Sequence, residues 1–355
     1  MTIIEKIRRY YKECYTMNHY PSWQEILKKE QNIYAYYGYL GDGNYGDELV
    51  FEATRKLFQP NLLLPIKRRM PLEVKYLKNK KNLFSGIIIG GGTLVGPFWE
   101  EDTFRQLQER ENLPVFIHGV GVREEIEEAD AWRDIVFVKN FFGGVRGLSS
   151  QENLTKLYQD IKIVGDAALF LFDQQSWEAK APRKIKNILI NLGTHHSFKG
   201  ESNTRAALKN FIRFLLDNNY NVSFLPMHNI DYELGKNLSE VFPSLKLYDI
   251  PTNYEDTVKL FAEYDCAIGE RLHFMVLAVI LKIPFLSIKY SSKHADLLNS
   301  LKLGKYGLVP EDLSVEKLKT AFSNLAHFQW ENTSQRLQLL KKEQLSEYIK
   351  FTSTH

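Results

Sequence analysis

The segment richest in chemistry is Gly269-Glu270-Arg271-Leu272-His273, which runs straight into the apolar stretch FMVLAVIL. A helix that is apolar on every side belongs in a core, so polar residues gathered at its amino end answer to something other than solvent. Residues two apart do not share a face in mid-helix, but in a strand-to-helix turn both can converge on one anion. Arg271 and His273 are therefore the first candidates for a ligand site.

Four further segments follow short apolar runs in the same way, and a fifth surrounds a histidine. Gly38 to Glu48, GYLGDGNYGDE, is rich in glycine and leads into a helical pattern, and free N–H groups there favour an anion. Its spacing fits neither a dinucleotide fingerprint nor a P-loop. Asn44 and Asp47 are its chemical residues, although Asp47 and Glu48 in a first helical turn equally complement the helix dipole. Gly90, Gly91 and Gly92 mark close backbone approach, either to a ligand or to a neighbouring loop. Arg146 stands at the end of a strand, a position that points its guanidinium towards a cleft rather than to plain solvent. Tyr290 and Lys293 lie in SIKYSSK, where Lys293 is either another cation of the site or a first-turn surface lysine. His228 ends the strand in LPMHNID, and His118, His195 and His196 also lie near strand ends without other marks.

Other chemistries find no footing. No HExxH, paired CxxC or His/carboxylate cluster is present, so neither a structural nor a catalytic metal is expected, and no cofactor. Gly-x-Ser-x-Gly is absent, against a serine hydrolase. Two cysteines, Cys14 and Cys266, make no disulfide framework.

The elements that must carry these loops alternate along the chain. Strands are predicted near 32–38, 86–90, 114–119, 142–146 and 161–165, with helices near 46–58, 99–111, 124–139 and 149–159. After a polar, basic stretch the alternation resumes, with strands near 187–193, 221–226, 245–248, 265–269 and 283–289. A long final helix, about 331–351, places Leu337, Leu340, Leu345 and Tyr348 on one side. This pattern predicts an α/β protein with two Rossmann-like, doubly wound parallel sheets. The expected organisation is an amphipathic helix in 1–30, a domain over 31–173, a linker at 174–186, a second domain over 187–328, and a helix at 329–355 packing back. In such sheets ligands sit beyond the carboxyl ends of the strands, where the six strand-end segments fall.

The chain of 355 residues is 44% apolar and 25% charged, the mixture of an ordinary globular protein. A net charge of +3 gives no footprint of a nucleic-acid binder. No stretch reaches the roughly 20 apolar residues of a membrane span, and the start lacks the apolar core of a signal peptide. A cytoplasmic location is expected, with peripheral contact at the inner membrane surface open through residues 1–15. That basic amphipathic helix suits anionic lipid, but its plainer role is to pack on its own domain.

Taken together, GDGNYGDE, IIIGGGTLV, HGVGV, VRGLSS with VGDAALFL, FLPMHNID, GERLHFMVLAV and IPFLSIKYSSK resemble the polysaccharide pyruvyl transferase family, over about 34–295. Gly147 and the Ser291-Ser292 pair depart from the family's pattern. The resemblance implies a GT-B-like fold and transfer of the pyruvyl unit of phosphoenolpyruvate to two hydroxyls of a sugar, forming a cyclic ketal. The acceptor would be a glycan or a lipid-linked sugar. It implies that Arg271 and His273 hold the phosphoenolpyruvate site, with Arg146 a further anion ligand and Asn44 and Asp47 facing the cleft. Gly91, Gly92, His228, Lys293 and Tyr290 complete the expected substrate contacts.

The charges agree with that donor, because Arg146, Arg271 and Lys293 could balance its near-trianion. His273 is the expected general acid towards the methylene carbon, and Asp47 or His228 the acceptor of the hydroxyl proton. Two other readings stand beside this one: a glycosyltransferase using a nucleotide-sugar on the same architecture, and a non-catalytic glycan-binding protein.

Overall fold

The computed structural model describes residues 20–26, 32–66, 82–95, 112–122, 141–155, 161–179, 184–193, 202–289 and 291–353. The chain divides into two compact units. The first comprises 1–42, 47–170 and 339–355, and the second 43–46 and 171–338. The helices expected at 99–111 and 124–139, and the basic segment 1–15, lie outside the described residues.

The first unit holds β1 (Ile33–Tyr37), β2 (Leu62–Pro65), β3 (Gly86–Gly90), β4 (Thr93–Val95), β5 (Val115–Val122), β6 (Phe141–Val145) and β7 (Lys162–Ile163). Every pairing among them is parallel, in the order β2-β1-β3-β5-β6-β7, with β4 beside β5. The inner strands β1, β3 and β5 are buried along their whole length, so they run nearly continuously apolar rather than alternating, as both faces of the sheet are covered there. The two-residue period nevertheless sorts the side chains. Ile33, Ala35, Tyr37, Ile87, Ile89 and Ile117 pack on one face, and Tyr34, Tyr36, Ile88 and Phe116 on the other.

The second unit holds β8 (Asn187–Asn191), β9 (Asn221–Phe224), β10 (Lys246–Leu247), β11 (Cys266–Gly269), β12 (Phe285–Ile288) and β13 (Gly307–Leu308). They form a parallel sheet ordered β10-β9-β8-β11-β12-β13. The chain leaves β8 in one direction and returns to its other side with β11. The switch point therefore lies between β8 and β11, and a ligand is expected outside their carboxyl ends. The α/β expectation and its two doubly wound sheets hold.

The helices that connect these strands or brace them are α1 (Tyr45–Phe58), α2 (Leu148–Thr155), α3 (Gln174–Ala179), α4 (Ser202–Asp217), α5 (Asn229–Val241), α6 (Tyr254–Ala262), α7 (Leu272–Ile280), α8 (Ser292–Ser300), α9 (Val315–Asn324) and α10 (Thr333–Ser353). Two expectations need correction. The stretch read as a linker contains α3, which the Trp177 indole ties to the second unit by donating to the Val279 carbonyl at 2.9 Å. In α10 Leu345 is 43% exposed, while Leu337, Gln344 and Phe351 are fully buried. Leu345 lies about 80° round the helix from Leu337, enough to leave the buried stripe.

α10 ends in the first unit. Phe351 packs against Tyr34, Phe58, Phe116 and Phe142 with ring centroids 5.4–6.0 Å away. Gly86 makes room for it, since a methyl group there would sit 2.7 Å from the Phe351 ring. Gln344 donates to the carbonyls of Val164 and Asp166 and turns its oxygen to His118 at 3.2 Å.

Candidate functional site

At the carboxyl end of β8 stands Asn191, the last residue of that strand and wholly buried. Beside it, at the end of β11, Glu270 donates its backbone N–H to the Asn191 carbonyl at 2.9 Å. The Asn191 side chain accepts from the Arg271 N–H at 3.1 Å and donates to the Leu225 carbonyl at 2.9 Å. It also reaches Asp231 at 3.4 Å. The strand-to-helix turn that carries Arg271 is thus fixed by its neighbouring strand.

The Arg271 guanidinium lies side-on to Asp231. Nε is 3.1 and 3.0 Å from the two carboxylate oxygens, and Nη2 is 2.6 Å from one of them. Asp231 has no exposure at all, while the Arg271 side chain is 20% exposed. Asp231 also accepts the Met227 N–H at 3.2 Å, from its place in the first turn of α5. A buried carboxylate is tolerable only with such a set of donors. Glu270, likewise buried, accepts the Gly193 N–H at 2.6 Å, and its carbonyl accepts from Nε2 of buried His294 at 2.8 Å.

His273 sits in the first turn of α7, 8% exposed. Against its ring lies Gly46, where an added Cβ would come 2.3 Å from Nδ1. Residues 43–46 belong to this unit because they are bound into it. The Tyr45 N–H donates to the Met227 carbonyl at 2.8 Å, and Asn44 forms an antiparallel bridge with His228. The buried Tyr45 hydroxyl donates to the Asn253 carbonyl at 3.0 Å and lies 2.8 Å from the Thr257 hydroxyl. Asn44 turns back to accept the Gly46 N–H at 3.2 Å. His228 caps α5, its Nδ1 accepting the Ile230 N–H at 3.1 Å. Lys293 lies in the first turn of α8. Since β11 and β12 are parallel neighbours, with Gly269 opposite Ser287, α7 and α8 begin at the same edge of the sheet.

The remaining expected residues lie in the first unit. Asp47 and Glu48 are both buried in the first turn of α1, and Glu48 accepts the Gly41 N–H at 2.9 Å. Gly91 and Gly92 take left-handed φ angles of +81° and +67° between β3 and β4. A side chain at Gly91 would meet Val50, and one at Gly92 would meet Tyr39. Close approach to neighbouring residues thus accounts for both glycines. The same holds for Gly90, pressed against Tyr36, whose hydroxyl donates to the Gly90 carbonyl at 3.1 Å. Burial, with Asp47 and Glu48 nearby, raises the Tyr36 hydroxyl well above its ordinary pKa, so it remains a neutral donor. Arg146, expected to turn its guanidinium towards a cleft rather than to plain solvent, follows β6 directly. It is 3% exposed, with Nη1 3.9 Å from Asp166, in a space left by Gly121 beside Thr93. Tyr290, His195 and His196 lie outside the described residues.

Asn44, His228, Arg271 and His273 therefore come together in one unit. Sequence reasoning passed over Asp231, Asn191, Tyr45 and Gly46. Asp231 lay within a segment already marked, but an acid in a first helical turn reads as a dipole partner, and its arginine is 40 residues away.

A family model described as polysaccharide pyruvyl transferase matches residues 44–292. No curated protein matches the chain. Among solved structures, the UDP-GlcNAc 2-epimerase of Neisseria meningitidis bound to UDP-GlcNAc is similar at a TM-score of 0.54 and 12% identity, over 92% of this chain and 100% of that one. The UDP-GlcNAc 2-epimerase of Methanocaldococcus jannaschii in complex with UDP-GlcNAc and UDP matches at 0.54 and 10% identity, over 88% and 99%. At such identities the likeness is one of fold.

Proposed function

The chain belongs to the polysaccharide pyruvyl transferase family, and from that premise we propose that it moves the pyruvyl group of phosphoenolpyruvate onto two hydroxyls of a sugar. The product is a cyclic ketal on a polysaccharide or its lipid-linked precursor. The observation that carries this reading is Arg271, held side-on by Asp231 at the amino end of α7, two residues before His273.

The donor offers a carboxylate and a phosphate, and arginine's planar fork suits both. Two helix amino ends at one sheet edge, α7 and α8, add N–H groups and positive dipole ends, and Lys293 adds a charge. In the reading we adopt, His273 gives a proton to the methylene carbon, leaving an oxocarbenium-like centre. One sugar hydroxyl attacks that centre and its proton replaces the one His273 gave. Phosphate leaves with its bonding electron pair, the second hydroxyl closes the ring, and its proton departs with phosphate. Asp47, next in the chain after Gly46, is the carboxylate we assign to take the first hydroxyl's proton and pass it on to His273. Arg146 enters as a buried charge beside Asp166.

Mass spectrometry of candidate glycosides after incubation with phosphoenolpyruvate tests the reaction directly. A mass gain of one pyruvyl ketal, lost in Arg271→Ala, is expected. Gain from nucleotide-sugars instead would sink the reading. His273→Ala should still bind phosphoenolpyruvate while losing about 10²–10⁴-fold in kcat, the usual contribution of a general acid.

A further inference from the structure

We propose that Asp231 is the positioning residue of the donor site, orienting Arg271 for an anion through a shared lock with Asn191. The inference rests on the pyruvyl-transfer reading of this site. Asp231 is wholly buried and draws donors from three elements: Arg271 after β11, Met227 after β9, and Asn191 at the end of β8. Asn191 grips both partners of the pair, donating to Asp231 while accepting the Arg271 backbone N–H. Backbone and guanidinium of Arg271 are therefore fixed by the same two side chains, at the switch point of the sheet.

The pairing has an electrostatic consequence. Asp231 and Arg271 together are formally neutral, so Arg271 serves by where its fork points rather than by net charge. Positive potential for the ligand comes from Lys293 and the amino ends of α7 and α8. Charge and position then predict opposite signs for one substitution. If only charge mattered, removing the Asp231 carboxylate beside an anion site would tighten phosphoenolpyruvate. If Asp231 orients Arg271, removing it weakens phosphoenolpyruvate.

The experiment is calorimetric titration of the full chain with phosphoenolpyruvate alone, which needs no acceptor. Asp231→Asn should weaken binding about 10–100-fold, within the range of couplings between contacting residues. Arg271→Ala should weaken it comparably, and adding Asp231→Asn to Arg271→Ala should change affinity by less than about twofold. A merely structural role would give additive losses. Arg271→Lys keeps the charge at a partly exposed site but cannot fork, and should lose about tenfold or more; it carries the test if Asp231→Asn does not fold. Tighter or unchanged binding in Asp231→Asn, additive losses, or wild-type affinity in Arg271→Lys each overturn the proposal. If the unmodified chain binds no phosphoenolpyruvate, the functional reading falls and this inference with it. If the unmodified chain binds and the losses are additive, the inference alone falls.

Discussion

At Gly46 a single methyl group decides whether His273 keeps its place. The added carbon would lie 2.3 Å from Nδ1, well inside van der Waals contact, and Gly46 cannot retreat because Tyr45 beside it is hydrogen-bonded at both backbone and hydroxyl. Overpacking of this kind costs about 1–3 kcal/mol when neighbours must move. The softer neighbour is the imidazole, so the ring is what shifts. Gly46→Ala should therefore lower kcat about 10²-fold, as small misplacements of reacting groups do. Phosphoenolpyruvate affinity should stay within a few-fold, since Arg271 is untouched. Steady-state kinetics separates the two, and an equal loss in affinity would assign Gly46 to ligand binding instead. How much of this is legible in the sequence differs by residue. Arg271 and His273 stand out because they open a helix with no other polar residue in its apolar run. Gly46 and Asp231 do not, because their partners, His273 and Arg271, are distant in sequence and only the folded sheet brings them together. For Gly91 and Gly92 the sequence shows the need for close approach and leaves open what approaches; the structure supplies Val50 and Tyr39.

Among the elements, α10 carries a polar pairing that makes the first unit sensitive to acid. His118 in β5 is wholly buried, with Thr54 2.9 Å from Nδ1 and Gln344 of α10 3.2 Å from Nε2. Burial lowers its pKa from 6.5 to about 4, against smaller opposing effects from Gln344 and Asp166. The folded state thus binds fewer protons than the unfolded one. Its contribution is complete above about pH 6.5 and declines as pH falls towards 4, reaching a loss of about 3 kcal/mol. Glu347 on the same helix adds to this at lower pH. Burial raises its pKa, but hydrogen bonds and charges from Lys162 and Lys350 outweigh burial and leave it lowered. Denaturant midpoints between pH 7 and 4.5 should fall in the wild type and fall less in His118→Gln. An equal slope in both would remove His118 as the cause. Here too the sequence is half legible. Long apolar runs such as GIIIG announce β3, and even two-residue β7 and β10 fall within expected strands, whereas β13, also of two residues, has no apolar run to announce it. The final helix is evident from its periodicity, yet its buried stripe runs through Gln344 and Glu347, and no hydrophobic pattern marks a buried polar residue that is paired across a fold.

For the whole molecule, the uneven placement of chemistry matters more than a net charge of +3. Each unit has its own parallel sheet and core, but Arg271, His273, Lys293, Asp231 and the segment 43–46 all belong to the second. Phosphoenolpyruvate at 100 times its dissociation constant would stabilise what it binds by about 2.7 kcal/mol. Hydrogen exchange can read where that stabilisation falls. Protection on adding phosphoenolpyruvate should appear in peptides covering 44–46, 187–193, 227–231, 269–273 and 291–294, and disappear in Arg271→Ala. Phe351→Ala supplies the contrasting change. It removes a fully buried ring that touches four aromatic neighbours in the first unit, at a cost of about 3–5 kcal/mol. Exchange should rise through β1, β3 and β5 while the ligand-dependent protection of the second unit persists. If protection by phosphoenolpyruvate instead centres on β3 to β6, the donor is held by the first unit, and the assignment to Arg271 and its lock gives way.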